Sequence, residues 1–192
     1  PNKKRCALEL KRIVNCDGMV VLTGLRHKDY SATPNNAISV QNYIDLFDFA
    51  NVSVYSEDDI LKRYLRKMGA NLDKTICVSE AQTQPFINLI AAKNQAKIRS
   101  SGQFSEYPHQ YGNLKINPLY KEKERGNDKE NIYLELNFPS QFYLSEQPQM
   151  MDYLPQQVRI PKDLFIDLNK NLHIVNRLIS QCVLIDLPSN YS

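Results

Sequence analysis

Short apolar blocks follow one another in good order as far as Ile98, and the pattern dissolves between Arg99 and Asn131. That break constrains the fold more than any motif does. Before it, blocks with helical spacing alternate with short continuous apolar runs, which predicts helices alternating with strands. The expected class is α/β or α+β, a parallel or mixed sheet covered by helices, with a long irregular insertion near residues 99–131. One domain over residues 1–192 is the simplest organisation. The alternative is an α/β part (1–98), a loop or linker (99–131) and a strand-plus-helix part (132–192).

Residues 3–14 place Cys6, Ala7, Leu10, Ile13 and Val14 on one helical face, and residues 19–22 read as a short buried strand. Residues 40–50 carry a second apolar stripe. The clearest element opens at Ser56, an N-cap residue followed by Glu57, Asp58 and Asp59 where the helix dipole favours negative charge. Ile60, Leu61, Tyr64, Leu65 and Met68 form its buried stripe, and Gly69 is the expected stop. Residues 74–78 read as a strand and 86–98 as a helix begun by Pro85. Beyond the break, residues 132–138 alternate as a strand, with Tyr133 and Glu135 on one face and Leu134 and Leu136 on the other. Residues 142–160 contain Pro148 and Pro155 and read as extended, with a short strand at 158–160. Pro161 is placed to begin a helix, and residues 172–187 read as a helix, or as one passing into a strand.

Composition narrows the chemistry. The chain has 6 glycines, no two of them close together. Loops that cradle phosphate need glycines for close backbone approach, so neither a dinucleotide fingerprint nor a P-loop can be drawn. Cys6, Cys16, Cys77 and Cys182 show no paired spacing, which argues against a zinc ribbon and favours free thiols in a reducing compartment, the cytoplasm or nucleus. No apolar run approaches the roughly 20 residues that span a bilayer. The net charge of +3 permits nucleic acid or an acidic partner without demanding either. No motif is specific enough to name a family, and no cofactor is expected.

Three groups of residues are candidates for function. Lys62, Arg63, Arg66 and Lys67 share the helical face opposite the apolar stripe and suit phosphate contacts, although cations late in a helix also complement its dipole and solvate its outer face. Around the break, Lys115, Lys121, Lys123 and Arg125 are interleaved with Tyr107 and Tyr111, a combination of cations and rings suited to single-stranded nucleic acid. Met150, Met151, Tyr153 and Leu154 lie between prolines and form an adaptable apolar surface for a protein partner. Catalysis has one opening, His27 beside Asp29 just past a strand end. His173 lies in an apolar run and reads as a core histidine. The expected function is a non-enzymatic binding or scaffold subunit that contacts nucleic acid through its basic faces. The alternatives are an enzyme built around His27 and Asp29, and an adaptor with protein contacts alone.

Overall fold

A computed structural model describes residues 2–30, 37–105, 114–123 and 128–187. The chain forms two compact units, the first of residues Pro1–Tyr64 and Met68–Phe104, the second of Leu65–Lys67 and Ser105–Ser192. Helices and several antiparallel sheets make a mixed α/β fold, as the alternating blocks predict. The pairing differs from expectation: every ladder among the described residues is antiparallel, with no parallel or mixed sheet.

The first unit is built on a three-stranded sheet ordered β1 (Met19–Leu25), β3 (Ile87–Ala92), β2 (Asn51–Ser56). All six residues of β3 are buried. A segment apolar on both faces suits a central strand, which corrects the helix expected over 86–98. Ile87, Ile90 and Ala91 also match helical spacing, but burial on every side decides the outcome. The second expected helix, over 40–50, ends early at Asp45, and β2 follows it from Asn51. Its alternating Val52 and Val54 face the core and pair with Ala91 and Leu89 of β3. α1 (Lys3–Ile13) packs through Ala7 against a core of Val20, Tyr43, Phe47, Leu89 and Ala91. Ile13 and Cys6, expected on that face, are exposed. α2 (Val40–Asp45) joins a second cluster of Val54, Ile76, Ala81 and Ile87 through Val40. Residues 74–77 form no strand, yet the Ile76 N–H donates to Val54 O at 2.9 Å before α4 (Val78–Ala81) begins.

α3 (Glu57–Leu65) begins where its cap predicts, with Ser56 Oγ accepting the Asp59 N–H at 3.1 Å. Its end differs. Lys67 takes the left-handed position at φ 57°, and the Met68 N–H reaches back to Arg63 O at 2.9 Å, a Schellman closure. Gly69 has another role, since a Cβ there would stand 2.2 Å from Ser101 Cβ and 2.9 Å from that residue's carbonyl carbon. The contact is tight because Gly69 N–H donates to Gly102 O and Ser101 N–H to Ala70 O.

The second unit contains a three-stranded sheet ordered β5 (Tyr120–Glu122), β6 (Asn131–Leu136), β7 (Gln157–Pro161), and a two-stranded ladder of β4 (Leu114–Ile116) with β8 (Leu184–Asp186). Two strands therefore lie inside the stretch expected to be irregular. α5 (Gln141–Glu146) is held at its start by Ser140 Oγ, which accepts the Tyr143 N–H. A 3-10 turn over Pro148–Asp152 follows, where extended chain was expected. Pro161 ends β7, and two 3-10 turns, Lys162–Phe165 and Leu168–Asn171, take the place of the expected helix. α6 (Leu172–Ser180) buries Val175, Leu178 and Ile179. It closes on Cys182 at φ 51°, with Val183 N–H donating to Leu178 O and Cys182 N–H to Ile179 O. The buried Asn117 side chain donates to Cys182 O, fixing this turn to the end of β4. Among the described residues no helix is long and apolar enough to cross a membrane.

Candidate functional site: the outer face of a three-stranded sheet

The sequence candidates separate once their surroundings are known. His27 is fully buried. Its Nε2 lies 2.8 Å from Gln84 O, and a carbonyl only accepts, so Nε2 carries the hydrogen. Asp29 Oδ2 accepts the Val40 N–H at 2.8 Å and stands 3.8 Å from His27 Nδ1. The pair ties the segment after β1 to the start of α2 and to the turn at Gln84, and solvent does not reach the ring. His173, expected in the core, is exposed on α6.

The helix cations are partly engaged. Lys62 pairs with Asp58 at 2.9 Å one turn earlier, and Arg63 Nε donates to Gly69 O at 2.8 Å. Lys67 Nζ donates to Ser105 O, while Arg66 is exposed. In the apolar segment, Leu154 is a core residue, Met150 and Tyr153 are half-buried, and Met151 is exposed. Tyr107, Tyr111 and Arg125 lie outside the described residues. Lys115 is half-buried on β4.

Lys121 and Lys123 are exposed, and the ladders place them with partners that spacing alone does not reveal. Strand alternation sends Tyr120, Leu134, Leu136 and Ile160 inward, where each is buried. On the other face Lys121 lies opposite Glu135, Glu135 opposite Gln157, and Tyr133 opposite Arg159. Lys123 Nζ donates to both Glu135 oxygens, at 3.0 and 2.9 Å, and Gln157 Nε2 donates to Oε1. The Arg159 guanidinium sits 5.9 Å from the Tyr133 ring centroid and 3.8 Å from Asp128 Oδ2. A shallow cleft of about 180 Å³ runs among Lys123, Tyr133, Glu135, Gln157 and Arg159.

Asp128 anchors one end of this face. Its carboxylate accepts the Asn131 side-chain amide and, at 2.7 Å, the Tyr133 hydroxyl, besides the backbone N–H groups of Glu130 and Asn131. These bonds, the Asn131 side chain first and the Tyr133 hydroxyl next, hold the carboxyl at about 2. A depressed carboxylate stabilises the fold above its unfolded value and loses that contribution as pH falls through its folded value. Asp128→Asn is therefore expected to be less stable than the parent at neutral pH. The gap should close as pH falls from 3.8 to about 2, read from denaturant midpoints along the acid limb. A gap that stays constant through that interval would exclude Asp128 as its source.

Two cysteines contrast sharply. Cys77 is exposed before α4, its Sγ 3.1 Å from Ser79 Oγ, and this bond is the main cause of its lowered pKa. Burial pushes the Cys182 thiol up to about 11. Because the thiolate is the nucleophile, iodoacetamide at mildly alkaline pH is expected to modify Cys77 well before Cys182, as peptide mass spectrometry would show. Equal rates would contradict both environments.

Among the described residues, no three His, Cys, Asp or Glu side chains gather closely enough to hold a metal ion. Comparison with known proteins finds no family model, no curated protein and no solved structure that matches this chain. Fold and site together define a mixed α/β protein with antiparallel sheets and a charged, tyrosine-bearing sheet face.

Proposed function

We propose that the chain is a non-enzymatic binding subunit of a larger assembly, and that the outer face of β5, β6 and β7 contacts single-stranded nucleic acid. The observation that carries this reading is the Arg159 guanidinium beside the Tyr133 ring, with Lys121 and Lys123 on the same face. Exposed bases stack on such a ring, and the three cations suit successive phosphates. Glu135 and Asp128 hold Lys123 and Arg159 in place without the strand, and a phosphate would exchange for a carboxylate partner.

Three phosphate contacts give a slope of about −2 in log affinity against log salt for a single strand, or roughly a 20-fold loss between 50 and 200 mM. A fluorescence-anisotropy titration of labelled single-stranded DNA and RNA checks this, with the triple variant Lys121→Glu, Lys123→Glu, Arg159→Glu expected to abolish the slope. No binding at low salt, or a slope the triple variant leaves intact, would overturn the reading.

A second reading is a protein contact on the second unit. It is favoured by Phe142 at 64% exposure and Ile166 at 85%, apolar side chains that water does not suit.

A further inference from the structure

The sheet of the first unit has two edges, and they are finished differently. The outer edge of β2 is partly engaged, because Ile76 N–H donates to Val54 O and Gln95 Nε2 to Asn51 O. On β1, only β3 bonds the backbone of residues 19–23 among the described residues. A row of unpaired N–H and C=O groups is a template for another strand, and proteins usually blunt it with lysine, proline or a bulge. Residues 19–22 carry no charge and no proline. The irregularity in β1 comes after them, between Leu22 and Leu25, where Gly24 takes φ 62°. Met19 and Val21, which share a face of the strand, are 39% and 52% exposed.

We infer that β1 pairs antiparallel with β1 of a second copy of this chain, joining two three-stranded sheets into one of six strands about a two-fold axis near Val21. The charges flanking the strand favour this occupant. Asp17 precedes β1 and Lys28 follows it, both exposed. About an axis at Val21, residue 17 of each copy falls opposite residue 25 of the other, so Asp17 lies at the end of the ladder where Arg26 and then Lys28 of the other follow β1, whereas parallel pairing would set like beside like. The strand itself brings no charge into the new ladder, so the pairing leaves none buried without a partner. The contact is isologous and closes at two copies.

Sedimentation equilibrium on the full chain, from micromolar to hundred-micromolar concentration, tests the inference. The expected result is a concentration-dependent shift from monomer to dimer mass. Val21→Lys and Val21→Glu each place like charges across the axis, and each is expected to weaken association about tenfold or more. Val21 is half exposed, so both variants should keep the parent's thermal midpoint within a few degrees. Mixing them in equal amounts should restore the dimer. Monomer mass throughout, a dimer indifferent to either charge, or a mixture that stays monomeric would overturn the proposal.

Discussion

His27→Ala is expected to destabilise the protein by about 3 to 4 kcal/mol, read as a fall in the urea midpoint. Two costs combine. Removing a fully buried ring leaves a cavity between the segment after β1 and the turn at Gln84. The Gln84 carbonyl also loses the donor at 2.8 Å that satisfies it. His27→Gln restores a donor of similar reach and should recover part of the loss, which separates the hydrogen bond from the volume. Were His27 instead an accessible catalytic group, alanine would leave the midpoint nearly unchanged, and a shift below about 1 kcal/mol would contradict the buried role.

Gly69→Ala is the second large effect, expected at about 2 to 3 kcal/mol. The added methyl would meet Ser101 at Cβ and at its carbonyl group, and backbone cannot swing aside as a flexible side chain can. Separating the two segments would stretch the bonds from Gly69 N–H to Gly102 O and from Ser101 N–H to Ala70 O. Gly102 has open space where its Cβ would be, so Gly102→Ala is the control and should cost little. Equal effects at the two positions, measured by the same urea titration, would show that close approach at Gly69 is not the cause.

These two residues show what can be read from sequence and what cannot. Local chemistry was legible: Ser56 and the acidic turn after it announced α3, and alternation announced β6 with Tyr133 and Glu135 sharing a face. Strand pairing was not. The run Ile87–Ala92 carries apolar residues that suit a buried helix as well as a central strand, and only its neighbours on both sides decide. Gly69 looked like a helix stop because its spacing was right, yet Lys67 closes the helix and Ser101, far along the chain, explains the glycine. His27 looked available because a short polar segment surrounds it in sequence, while its burial comes from a turn more than fifty residues away.

The candidate face divides in the same way. Lys121 and Lys123 are visible as cations near the break, whereas nothing in the sequence pattern points to Arg159 or Asp128. Arg159 reaches Tyr133 through the register of β6 with β7, and Asp128 reaches it through a turn just before β6. Neither relation follows from spacing, because a shift of one residue in register would send Arg159 to the opposite face. In the apolar segment, Leu154 and Met151 are alike in hydrophobicity, and only packing makes one core and the other surface.

The proposed interface rests on the Tyr133 ring as a stacking platform beside cations. Anisotropy with a labelled single strand, comparing the parent with Tyr133→Leu at fixed low salt, tests it most directly. Leucine keeps an apolar side chain on the strand but cannot stack a base, so affinity is expected to fall about tenfold while the salt slope stays the same. Unchanged affinity in Tyr133→Leu, with the variant's fold intact by circular dichroism, would contradict a stacking role for Tyr133.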